Sequence, residues 1–153
     1  MKSKASILKW ITVAILGLSL VFFFLPYFTA FGESFNPMQL IDVYNTINRI
    51  DGVVEMIFFF ILPVVLTAVS AFILAFKVGT AKCVVSTILS FLALCVYLLF
   101  FNSSLLEISS DNIGIGLVGN IVIACSGIIL PIVVLVLHKK EQKQFALLNN
   151  TNV

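Results

Sequence analysis

Four long apolar runs alternate with short polar segments along the chain. The runs cover residues 7–31, 53–76, 83–101 and 114–137. An α-helix needs about 20 apolar residues to cross the hydrocarbon core of a bilayer. Because lipid cannot hydrogen-bond to exposed backbone groups, we expect every run to be helical, despite its β-branched residues. The pattern predicts an all-α membrane protein, a four-transmembrane-helix bundle formed by a single membrane domain of residues 1–153.

Composition supports a lipid environment. The chain is 61% hydrophobic and only 10% charged, whereas a soluble domain has about 45–50% apolar and about 25% charged residues. A soluble fold could not hide this much apolar surface. We therefore expect the lipid bilayer as the surroundings of the chain and no nucleic acid as a partner.

The distribution of charge predicts how the chain is threaded. Eight of the nine basic residues fall in segments that four spans place on one side: Lys2, Lys4, Lys9, Lys77, Lys82, Lys139, Lys140 and Lys143. Arg49 is the exception, and six of the seven acids fall on the opposite side. Lysine and arginine favour the cytoplasmic side. We expect a multi-pass protein of the cell membrane with cytoplasmic termini, outer loops at 32–52 and 102–113, an inner loop at 77–82 and a cytoplasmic tail at 138–153.

The first outer loop carries a helix-start signal. Asn36 suits the N-cap, Pro37 the first helical position, and Gln39 the third position of a capping box. Apolar residues then recur at helical spacing up to Gly52, which suits a C-terminal cap. We expect a short amphipathic helix over about 37–51 at the outer interface. It is either a lid on the four helices or a recognition surface, whose candidate partner contacts are Asp42, Tyr44, Asn45 and Arg49.

The fourth run begins with Gly114-x-Gly116-x-x-Gly119, the glycine spacing of a dinucleotide-binding turn. That site needs a preceding strand and an acid about 20 residues further on, but a polar loop precedes these glycines and Val133–Leu135 occupy the later positions. A packing face fits better, and its small or polar members are Gly116, Asn120, Ala124 and Gly127. Such faces let membrane helices approach closely, either within one chain or between copies or partners.

The apolar runs offer little chemistry. The single histidine, His138, lies beside two lysines at a helix end, and Cys83, Cys95 and Cys125 fall inside apolar runs. We find no acid–base pair at membrane depth, no Ser/His or Cys/His set and no metal-ligand spacing. We therefore expect no enzyme, no catalytic residue, no metal and no cofactor. Hydroxyl and amide groups such as Ser86, Ser90 and Asn120 remain the polar groups within the spans.

The stretch "LPYFTAFGESFNPMQLI" (25–41) closes the first run and opens the loop. It resembles small four-span membrane proteins of Gram-positive bacteria, in which a Leu-Pro-aromatic exit precedes a Gly-x-Ser turn and a short outer helix. The resemblance implies a bacterial four-span topology. It implies no activity, because no activity is established for these proteins.

Two functions follow from these features. The first is a non-catalytic membrane protein that acts by contact with another membrane or secreted protein, as an accessory subunit, a regulatory subunit or an immunity-type protein. The alternative is a homo-oligomeric channel or small transporter formed by self-association and lined by hydroxyl groups.

Overall fold

The computed structural model describes residues 3–30, 33–46, 53–55, 57–76, 79–102 and 113–151. The helices are α1 (Lys4–Phe23), α2 (Pro37–Thr46), α3 (Leu62–Ala75), α4 (Thr80–Asn102) and α5 (Ile115–Thr151), with a π-helical turn at Ile57–Ile61 and strands β1 (Phe28–Ala30) and β2 (Glu33–Phe35). The prediction of four helices long and apolar enough to cross a membrane is confirmed. These candidate spans are Lys4–Phe23, Val53–Ala75, Thr80–Phe100 and Ile115–Leu147.

The first apolar run is not helical to its end, so the prediction of a helix over 7–31 was wrong there. Helix α1 ends at Phe23, and residues 28–30 pair antiparallel with residues 33–35. Pro26 has no amide proton and disfavours helical geometry in the residue before it, which stops the helix. The hairpin then provides backbone hydrogen bonds for an apolar segment that has left the helix.

Helix α5 is longer than the apolar run that begins it. Its 37 residues correspond to about 55 Å, against a hydrocarbon core of about 30 Å. The helix passes through Pro131 and continues beyond Leu137 because the following residues include no glycine or proline. His138 and Gln142, one turn apart, add a side-chain hydrogen bond of 3.1 Å. The predicted tail is thus helical as far as Thr151.

Each of the four long helices packs against two of the others. Helix α1 packs on α3 and α5, and α4 packs on the same two helices from the other side. The interior is rich in polar groups, and the buried polar residues in the described ranges are Lys9, Thr12, Ser19, Thr67, Ser70, Ser86, Ser90 and Asn120. The outward faces instead carry large apolar side chains, including Trp10, Phe72, Phe91 and Val122. This arrangement suits an apolar solvent.

Helix α2 begins with a reciprocal capping box. The Asn36 amide donates to Gln39 Oε1, and the Gln39 amide donates to Asn36 Oδ1, both at 2.9 Å. Two backbone amides that have no partner within the helix are thereby satisfied. The helix extends to Thr46, while the rest of the predicted 37–51 segment, including Arg49, lies outside the described residues.

A π-helical turn precedes α3. Pro63, the second residue of α3, cannot donate to the carbonyl four residues earlier, which interrupts the regular hydrogen-bond ladder. The wider turn places Phe60 completely inside the protein. There its ring packs edge-on against Tyr27 and Phe100, with centroids 5.3 and 4.9 Å away.

Candidate functional site

The glycine motif forms the junction between α5 and the exit of α1. The Gly114 amide donates to the Tyr27 carbonyl at 2.7 Å, and the Gly116 amide donates to the Pro26 carbonyl at 2.8 Å. A Cβ on Gly116 would lie 2.6 Å from the Leu25 carbonyl oxygen, closer than real Cβ atoms come to other heavy atoms. The glycines therefore allow backbone to contact backbone, which is how the start of α5 satisfies its free amides.

The four residues of the predicted packing face are all buried. Gly116 faces the α1 exit, while Gly127 faces Leu16 of α1 and Ser90 of α4, whose Cδ2 and Cβ atoms respectively would each lie 2.8 Å from an added Cβ. Ala124 is completely inaccessible, and Asn120 is 2% exposed. These contacts lie within one chain. Gly119, which the predicted face omitted, packs against the ring of Phe22.

A polar cluster lies beneath the hairpin. Asn120 Nδ2 donates to the hydroxyl oxygen of Tyr27 at 2.5 Å, and the Tyr97 hydroxyl is next to that of Tyr27. Within the described part of the chain, Tyr97 Oη and Asn120 Oδ1 have no partner in hydrogen-bonding geometry. Rings of Phe28, Phe60 and Phe100 surround the cluster.

Burial controls the chemistry of Tyr27. It raises the pKa of the Tyr27 phenol to about 12, and the adjacent Tyr97 hydroxyl and the hydrogen bond from Asn120 offset only part of that rise. The phenol is therefore neutral at physiological pH and serves as a hydrogen-bonding group rather than as a base.

A second polar cluster joins α3 to α4. Ser70 Oγ lies 2.5 Å from Ser86 Oγ and 3.2 Å from Ser90 Oγ, and it also donates to the Ser86 carbonyl at 3.1 Å. Ser90 and Tyr97 are seven residues apart on α4, which is about 10 Å, and buried Ala93 lies between them. Ala93 thus separates the two clusters along α4, while buried Thr67 lies between Phe60 and Ser70 in the neighbouring segment.

Lys9 has a role that its position near a helix end did not reveal. Although it lies near the start of α1, Lys9 is only 8% exposed. Its Nζ donates to the Ala75 and Phe76 carbonyls at 3.2 and 3.1 Å and thereby caps the end of α3. Carbonyls at a helix C-terminus carry partial negative charge, which favours an ammonium group. No local signal could have paired residues 66 positions apart.

The candidate contact residues of the first outer loop are only partly described. Asp42 and Asn45 are exposed on α2, whereas the Tyr44 side chain and all of Arg49 lie outside the described part. Leu40 and Ile41 pack against the buried cluster that contains Tyr27, Phe28, Phe60, Tyr97 and Phe100. Met38 and Val43 remain 48% and 47% exposed. Helix α2 is therefore held by one face and displays a mixed polar and apolar face.

The described side chains provide packing and hydrogen-bonding contacts. In the described ranges, no group of three His, Cys, Asp or Glu side chains could hold a metal ion. Cys83 is buried, and Cys95 and Cys125 are partly buried, all as free thiols. Ser86, Ser90 and Asn120 all lie inside a single chain, where the first two bond to Ser70 and the third to Tyr27.

The fold is that of a helical chain with four helices long and apolar enough to cross a membrane. No family model, curated protein or solved structure matches the chain.

Proposed function

We propose that the chain is a multi-pass protein of the bacterial cell membrane that acts by protein–protein contact rather than by catalysis. In this proposal the four long helices form a transmembrane bundle, both termini are cytoplasmic, and α2 lies at the outer interface. Basic side chains at one end of the bundle support this orientation, since Lys4 and Lys82 lie near the start of α1 and α4, and Lys139 follows the apolar part of α5.

The observation that carries the proposal is that α2 is anchored to the long helices by one face and exposes its other side chains. Its capping box fixes the start of the helix, and Leu40 and Ile41 fix its inner face against the bundle. The exposed side chains of the helix include Met38, Asp42, Val43 and Asn45. A rigid helix with an exposed mixed face loses little conformational entropy on binding, which favours recognition.

Charge indicates the kind of partner. The proposed outer loops contain five acids and a single basic residue, Arg49, and a sixth acid, Glu55, follows at the outer end of the second apolar run. A partner with a basic surface would be attracted and oriented by this field. We therefore propose as partner the basic outer segment of another membrane protein or a cationic secreted protein, with this chain as an accessory subunit, a regulatory subunit or an immunity-type protein.

A homo-oligomeric channel or small transporter is the alternative. Its lining would come from Ser86, Ser90 and Asn120, which would have to leave their partners inside the chain. A pore between unchanged copies would instead be lined by the apolar outward faces. The contact function requires no such rearrangement, and we favour it for that reason.

Photocrosslinking tests the contact. A photoreactive amino acid replaces Val43 on α2, and in a matched control it replaces Val69, which is 42% exposed on α3. We expect a crosslink to one basic partner in native membranes from position 43 only. Asp42→Lys should abolish this crosslink, while Glu33→Lys, the same charge reversal on β2, should largely preserve it.

Three results would contradict the proposal: no adduct at position 43, equal adducts at both positions, or adducts only between copies of the chain. Adducts between copies would favour the oligomeric channel. Ion flux into liposomes that contain the purified chain would then be the next measurement.

A further inference from the structure

A groove lies between the start of α1 and the C-terminal part of α5. Its volume is about 420 Å³, and its lining includes Lys4, Leu137, Lys140, Glu141, Gln144 and Phe145. We refer to it as the α1–α5 groove. It lies at the opposite end of the packed helices from α2, so it has no part in the proposed contact surface.

The groove combines positive charge with apolar walls. Lys4 and Lys140 are exposed, and the first turn of α1 adds the partial positive charge of its backbone amides. Glu141 is the acid of the lining, and its Oε1 accepts a hydrogen bond from the Ala5 amide at 3.3 Å. That carboxylate is therefore already engaged with the helix end. Leu137 and Phe145 provide apolar surface.

The proposed membrane placement sets the depth of the groove. Trp10 is 53% exposed, and an outward-facing tryptophan beside Lys9 marks the inner boundary of the hydrocarbon core. Lys4 lies five residues beyond Lys9, about 7 Å, and Lys140 lies three residues beyond Leu137, about 4.5 Å. The headgroup layer on each side is about 5–8 Å thick. Both lysines thus lie at the level of lipid phosphates.

We propose that the α1–α5 groove binds one anionic phospholipid of the inner leaflet. Lys4 and Lys140 hold its phosphate, and an acyl chain follows Leu137 into the hydrocarbon core. This inference rests on the proposed placement in the membrane, but it does not depend on the partner of α2. Its support is charge complementarity at the depth where these lipids carry their charge.

Native mass spectrometry of the full chain in detergent tests the proposal. The probes are phosphatidylglycerol and phosphatidylcholine with identical acyl chains. We expect one phosphatidylglycerol to be retained per chain, in clear preference to phosphatidylcholine. A lysine near an anionic surface contributes about fivefold to binding, so Lys4→Gln with Lys140→Gln should weaken retention by about tenfold or more.

The matched control is Lys82→Gln with Lys139→Gln, which removes the same charge outside the groove lining. It should change retention by less than about twofold. Circular dichroism shows whether both variants keep the wild-type helix content. Both should also keep the position-43 crosslink, so failure of this inference is distinguishable from failure of the contact function.

Several outcomes would overturn the lipid site. Equal retention of the two lipids would remove its selectivity. Equal losses in the two double variants would reduce it to general attraction between charged surfaces. Displacement of phosphatidylglycerol by millimolar inorganic phosphate would assign the groove to soluble phosphate rather than to a lipid.

Discussion

Replacement of Gly116 by alanine should separate α5 from the exit of α1. The added Cβ would lie 2.6 Å from the Leu25 carbonyl oxygen, and 2.8 Å from both the Phe22 carbonyl oxygen and a ring carbon of Tyr27. Two of these three neighbours are backbone atoms, which no change of rotamer can move away. The junction would therefore have to open by several tenths of an ångström.

The loss of folding stability caused by Gly116→Ala has two parts. Overpacking of a well-packed site typically costs about 1–3 kcal/mol. Opening the junction also weakens the hydrogen bonds from Gly114 to Tyr27 and from Gly116 to Pro26, each of which contributes about 1 kcal/mol. We expect the free energy of unfolding to fall by about 2–4 kcal/mol in total.

Gly17 provides the matched control. It lies inside α1, and a Cβ added there would have no heavy atom within 4 Å. Gly17→Ala should be neutral or slightly stabilising, because alanine favours helix more than glycine by about 1 kcal/mol. Unfolding of both variants by sodium dodecyl sulfate in mixed micelles, followed by circular dichroism, measures the difference. Equal stabilities for the two variants would refute the close approach at Gly116.

Four further predictions follow from individual contacts. Tyr27→Phe leaves the side-chain amide of Asn120 without its acceptor and should lower the free energy of unfolding by about 1–3 kcal/mol. In a double-mutant cycle with Asn120→Leu, strictly additive effects would contradict a direct hydrogen bond. Because the pKa of Tyr27 is raised to about 12 from about 10 in an unfolded chain, thermal stability should fall between pH 10 and 12 more in wild type than in Tyr27→Phe. Lys9→Met removes the donor to the Ala75 and Phe76 carbonyls at the end of α3 and should lower the free energy of unfolding by about 1–3 kcal/mol. An equal loss in Lys139→Met, at an exposed position, would argue against capping. Green fluorescent protein fused after Val153 should fluoresce and alkaline phosphatase fused there should be inactive; the reverse pattern would place the C-terminus outside.

Local chemistry determined most of the secondary structure. Runs of about 20 apolar residues leave helix as the form that satisfies the backbone in lipid, and all four candidate spans are present. The start of α2 at Pro37 also followed from sequence, because the Asn36–Gln39 capping box acts over three residues. Such signals are readable because donor and acceptor are neighbours in the chain.

The sequence also predicted which face of α5 is suited to packing, since small residues at helical spacing form one stripe. It did not indicate what that stripe meets. Gly116 lies against the α1 exit, and Gly127 lies against Leu16 and Ser90. The strand pair 28–30 and 33–35 was missed for a related reason: the first strand continues an apolar run, and only its pairing with the second strand distinguishes it from helix.

The interior was decided by tertiary structure. Lys9 is 66 residues from the Ala75 carbonyl that it caps, and Asn120 is 93 residues from the Tyr27 hydroxyl to which it donates. Periodicity assigns a side chain to a face of its own helix, but it carries no information on which helix that face meets or at what height. The formation of four long apolar helices was therefore determined by the sequence alone, whereas the partners of the buried polar groups depended on how those helices pack together.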